Sequence, residues 1–147
     1  MDSRRPAPKC QEISSLTFTG ANMLPTSPVL IVSGEQDHRA QLAAHVFNFG
    51  LDPVCCETIA DARVLAERQP FSAAVSEDLL PDGDFRAVIN EMRRHPAHSP
   101  VVVVSRRDDW DFYLSAVRMG AFDSVAFPPT PGELERVLWT ALTETKR

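Results

Sequence analysis

The sequence predicts an α/β domain built on a parallel β-sheet covered by helices on both faces. Two observations carry this. From residue 28 onward, short continuous apolar runs alternate with longer segments whose apolar residues recur at i, i+3 or i+4, and i+7. The runs lack in-and-out alternation, so both faces of each strand are buried. Five such alternations with right-handed crossovers give a parallel sheet.

Val29-Leu30-Ile31-Val32 is the first strand. Leu42, Val46 and Phe49 form a helical stripe that stops at Gly50. Pro53-Val54-Cys55-Cys56 is the second strand. Thr58 caps the second helix, with Asp61 at the capping-box position and Ile59, Ala62 and Leu65 inward. Ala73-Ala74-Val75 is the third strand, followed by a turn and the stripe Phe85, Val88, Ile89 and Met92. Val101 to Val104 is the fourth strand, and Trp110, Tyr113, Leu114 and Val117 repeat the helical spacing. Val125-Ala126-Phe127 is the fifth. Thr130-Pro131-Gly132-Glu133 combines an N-cap, Pro at N1 and Glu at N3, opening a helix through Leu134, Val137, Leu138 and Ala141.

Residues 1–27 carry Pro6, Pro8 and Pro25 among many Ser and Thr, and read as a flexible tail; residues 28–147 form the domain. The net charge of −5 argues against a nucleic-acid or acidic-membrane binder. No window resembles a transmembrane span, and the N-terminus lacks the apolar core of a signal peptide. Cys10, Cys55 and Cys56 are odd in number, two of them adjacent, which fits reduced cytosolic thiols. A cytoplasmic protein without metal or cofactor is expected.

Ligands of parallel sheets bind outside the carboxyl ends of the strands. Ser33-Gly34, Glu77-Asp78, Ser105 and Phe127 fall at those ends and would share one pocket. Carboxylates at the end of a buried strand are costly, so Glu77 and Asp78 stand out. Asp82 and Asp84, in a Pro-Asp-Gly-Asp turn before a helix, are better suited to turn and cap roles than to metal. His38 and His45 lie seven apart on the first helix and are expected to flank the core; His95 and His98 read as surface loop.

The βα register, the turn EDLLPDGDF, the segment MGAFD and the Pro after strand five together resemble a bacterial response-regulator receiver domain over residues 28 to 145. The resemblance implies the flavodoxin-like receiver fold, with strand order 2-1-3-4-5. It also implies a phosphorylation site of two acids that hold Mg²⁺, an acceptor Asp, a Ser or Thr, and a Lys. By position, the acid pair is Ser33 and Gly34, the acceptor is Glu77, the hydroxyl is retained as Ser105, and the Lys is Phe127. The family's mobile aromatic is Ser124. Mg²⁺ requires hard oxygen ligands in near-octahedral order, and Ser33 and Gly34 offer none that is charged. Phosphoryl transfer depends on neutralising charge that metal and Lys would supply.

These losses are mutually consistent, because keeping three acids without metal and Lys would leave strong repulsion. Arg106 or Arg107 could match the charge of Glu77. The expectation is therefore a pseudo-receiver: not an enzyme, signalling by protein–protein contact without phosphorylation. Two rival readings stay open. One is a receiver still phosphorylated on Glu77 or Asp78 by a partner histidine kinase. The other is a metal-dependent phosphoester hydrolase.

The resemblance further implies an interface, for a signalling protein or a second copy, on the fourth helix, fifth strand and fifth helix. Trp110 and Tyr113 lie there. Trp139 sits about 140° around its helix from Leu134, as an interface anchor or packed over the strand edge. Finally, the resemblance implies a cis peptide bond at Phe127-Pro128, with the Phe127 ring turned into the space left by the Lys.

Overall fold

The computed structural model describes residues 28–107 and 109–145. The tail assigned to residues 1–27 lies outside the described residues. The strands are β1 (Pro28–Val32), β2 (Asp52–Cys56), β3 (Ala73–Glu77), β4 (Val101–Ser105) and β5 (Asp123–Ala126). The helices are α1 (Gln36–Asn48), α2 (Ile59–Arg68), α3 (Phe85–Arg93), α4 (Trp110–Arg118) and α5 (Pro131–Thr145). The strands form one sheet in the order β2-β1-β3-β4-β5, every neighbouring pair parallel. This is the expected order.

Alternate residues of each strand feed two separate cores, as a doubly covered sheet requires. Leu30, Val32, Val101 and Val103 pack beneath α2, α3 and α4. Val29, Ile31, Val102 and Val104 pack beneath α1 and α5. Cys56 falls in the first core and Cys55 in the second, on opposite faces of the strand. Each fully buried Val or Leu contributes about 1.5–3 kcal/mol.

Local signals set the helix starts. The Thr58 hydroxyl accepts the Asp61 N–H at 3.0 Å, and the Thr130 hydroxyl accepts the Glu133 N–H at 3.3 Å. Gly50, with φ of 89°, ends α1 in the left-handed region that favours glycine.

Two features depart from expectation. The turn after β3 is a small hairpin, Leu79–Leu80 pairing antiparallel with Gly83–Asp84. More consequentially, the apolar stripe of α4 is only half covered, with Tyr113 and Leu114 half-buried. Ala116 is the buried residue of this helix, and Phe112 packs against the core beside it. Trp110 is 67% exposed and Val117 38%.

Candidate functional site

The carboxyl ends of β1, β3 and β4, with the segment after β5, open onto a cleft of about 510 Å³ lined by Gly34, His38, Glu77, Asp78, Arg106 and Phe127, among others. Glu77 is the last residue of β3 and is buried. Its Oε2 accepts the Ser33 hydroxyl at 3.0 Å and meets His38 Nδ1 at 2.7 Å. On the other side of the imidazole, the Arg106 guanidinium approaches Nε2 at 2.9 Å. A guanidinium has only donors, so Nε2 accepts and the ring proton sits on Nδ1, where it is donated to Glu77. The three side chains form one relay: Arg106 to His38 to Glu77.

The flanks of the site are equally occupied. Ser33 Oγ also accepts the Glu35 N–H at 3.3 Å, and Arg39 donates to the Ser33 carbonyl at 2.7 Å. Gly34 lies under the hairpin: a Cβ there would stand 2.7 Å from Pro81 Cδ and 2.8 Å from Cγ. The acid-pair positions thus hold a serine already bonded to Glu77 and a glycine with no room for a side chain. The residues present do not fit Mg²⁺, which needs charged oxygens here.

Ser105 turns away from Glu77. Its hydroxyl donates to Asp78 Oδ2 at 2.8 Å and accepts the Arg107 N–H at 2.9 Å. The Asp78 N–H donates to the Val104 carbonyl at 3.0 Å. Of the two arginines expected to pair with Glu77, Arg106 reaches it only through His38. Arg107 is directed elsewhere: its guanidinium lies 3.4 Å from Asp109 and 5.3 Å above the Phe112 ring.

The Phe127-Pro128 bond is cis, as expected. The Phe127 ring packs on the His38 imidazole with centroids 4.2 Å apart, tilted by 37°. It covers the relay from the β5 side. Ser124 lies half-buried on β5, its N–H bonded to Asp123 Oδ1 at 2.8 Å. Asp82 and Asp84 serve as caps. Asp82 accepts the Ile59 and Ala60 N–H groups at 2.9 and 3.1 Å, and Asp84 accepts that of Arg86 at 3.0 Å. The Ile59 hydrogen bond leads the effects that hold the Asp82 carboxyl below its ordinary value.

His38 is the site residue that sequence reasoning missed. A signal was present. It stands four residues before Leu42 and eight before Val46, so it continues the buried stripe of α1 one turn further, toward the cleft.

No family model matches the chain. The chain is 29% identical to the response regulator protein PilR of Pseudomonas aeruginosa over 113 residues, which are 77% of this chain and 25% of that protein. It is 26% identical to the photosynthetic apparatus regulatory protein RegA of Rhodovulum sulfidophilum over 110 residues, 75% of this chain and 60% of RegA. The chain therefore spans about a quarter of PilR and three-fifths of RegA. Among solved structures, the receiver domain of the Pseudomonas aeruginosa sensor histidine kinase PA1611, with magnesium in its active-site cleft, matches with a TM-score of 0.72 and 20% identity, covering 81% of this chain and 99% of that one. The beryllofluoride-activated NtrC4 receiver domain dimer matches with a TM-score of 0.73 and 23% identity, covering 80% and 98%.

Proposed function

We infer that this chain, which has the receiver fold and is similar in sequence to response regulators, is a signalling module of the two-component type that works by protein–protein contact without accepting a phosphoryl group. The observation that carries the reading is the state of Glu77. Its Oε2 already takes hydrogen bonds from Ser33 and His38, and the neighbouring metal-ligand position, Gly34, is closed by Pro81. An incoming phosphoryl group would displace both donors and find neither Mg²⁺ nor Lys to neutralise it. The module is then not an enzyme. Asp82 and Asp84 bind helix termini, which counts against a phosphoester hydrolase built on them.

The surface offered to a partner is the edge made by α4, β5 and α5. Trp110 and Tyr113 stack on one another there, with centroids 5.2 Å apart and planes at 21°. Trp139, on α5, is 43% exposed. A stacked aromatic pair with its Trp exposed suits an interface anchor, since Trp and Tyr are enriched at such sites.

The test is chemical. After incubation with a small acyl-phosphate donor and Mg²⁺, the intact mass should remain that of the unmodified chain. A phosphoryl adduct mapped to Glu77, or to Asp78 beside Ser105, would replace this reading with that of a working receiver.

A further inference from the structure

We propose that His38 is a proton-operated latch: in its Nδ1–H form it holds Arg106, and with it the neighbouring Arg107, against the pocket. The geometry makes the two ring nitrogens unequal. Nδ1 faces a carboxylate at 2.7 Å and Nε2 faces a guanidinium at 2.9 Å. Protonation leaves the Glu77 contact in place, since Nδ1 donates in either form. It destroys the Arg106 contact, since Nε2 then carries a hydrogen and a positive charge facing another.

The surroundings preserve this asymmetry. From β3 and the hairpin, Glu77 and Asp78 face the cleft; from the β4–α4 loop, Arg106 and Arg107 do; from the start of its own helix, Glu35 does. The segment after β5 contributes only the uncharged Phe127 ring, packed on the imidazole. Asp78 is engaged by Ser105, and Arg39, next to His38, is committed to the Ser33 carbonyl. Among the described residues, Arg106 is the hydrogen-bond partner of Nε2. Arg106 is exposed, so once released it moves into water.

The loop connects onward. Arg107 is bonded through its N–H to Ser105 and lies over Phe112, which packs edge-on against Phe85 at 5.9 Å. His38 is thus a positioning residue for α4. The inference deepens the reading above by naming how the α4 face is regulated. It rests on that reading for its consequence, not for the latch itself.

Nitrogen NMR of the histidine rings and backbone amides of the full chain, from pH 8 to pH 5, tests it. At pH 8 the His38 proton should sit on Nδ1. On acidification the amides of Arg106, Arg107 and Phe112 should shift with the same midpoint as the His38 ring. R106Q should leave the ring titrating and abolish the loop response; H38Q should abolish the loop response as well. An Nε2–H ring at pH 8, or loop shifts that survive in either variant, overturns the latch. Phosphoryl uptake on Glu77 would defeat the proposed function and leave these pH results standing; a silent loop would do the reverse.

Discussion

Gly34 shows how little space separates this pocket from one with an acid pair. An Asp side chain at 34 would drive its Cβ into the Pro81 ring, which is backed by the hairpin rather than by a flexible side chain. Overpacking of this kind costs about 1–3 kcal/mol. Gly34→Asp should therefore lower the unfolding free energy measured by urea titration by that amount, and Pro81→Ala should recover most of it in the double variant. Additive effects of the two substitutions would mean that the ring and residue 34 do not interact. The missing acid was legible in the sequence, because the acid-pair position is local to β1. The clash with Pro81 was not, because residues 47 apart meet only when the hairpin folds over the end of β1. The same limit explains Glu77. Its place at a strand end was readable, but its partner His38 lies 39 residues away on another element.

Between elements, two carboxylates join helices that the sheet alone would leave independent. Asp82, in the hairpin, caps α2 from 23 residues away. Asp82→Ala should cost about 1 kcal/mol, the ordinary value of an N-cap, and Asp82→Asn much less. Glu91, on α3, is buried and meets Arg63 of α2 at 3.2 Å, His95 at 3.0 Å and Arg94 at 3.5 Å. Burial pushes its carboxyl up, but the hydrogen bonds from His95 and Arg63 and the charge of Arg94 outweigh it, so the net shift is downward. A carboxyl depressed in the folded state contributes stability above its unfolded value near 4.5, and loses it as pH falls through the folded value. Stability should therefore fall on acidification below about pH 4.5, and Glu91→Gln should flatten that fall. At neutral pH the Gln variant should lose about 1–2 kcal/mol, the low end for charged hydrogen bonds, because Arg63 and Arg94 are largely exposed and screened. An unchanged acid limb in the Gln variant would assign it to other groups. The caps at Thr58 and Thr130 were legible because a cap and its helix are adjacent in sequence. A buried Glu in an amphipathic helix follows no such rule.

At the scale of the whole molecule, the parallel sheet and its two cores followed from apolar runs whose meaning is unambiguous once both faces are covered, while the strand order came from the resemblance to receiver domains. The orientation of α4 did not follow. Its residues 110, 113, 114 and 117 satisfy the spacing of a core-facing helix, yet Ala116 and Phe112 turn inward instead. Periodicity identifies an apolar face but not what covers it. Here α4 lies against the edge strand β5, with the small Ala116 buried, Tyr113 and Leu114 half-buried, and Trp110 and Val117 outward. That stripe is the surface proposed above for a partner. Trp110, already 67% exposed, contributes little to the fold, and Trp110→Ala should leave the unfolding free energy within about 0.5 kcal/mol of the parent. If the α4–β5–α5 edge meets a second copy of the chain, an anchoring aromatic there carries about 2 kcal/mol or more of the association. Self-association measured by sedimentation over a concentration series should then weaken at least about thirtyfold in Trp110→Ala. Trp139→Ala, on the helix across β5, should act in the same direction. A Trp110→Ala chain that associates like the parent but unfolds more easily would show that the stripe belongs to the core after all, and the proposed interface would have to be sought elsewhere on the molecule.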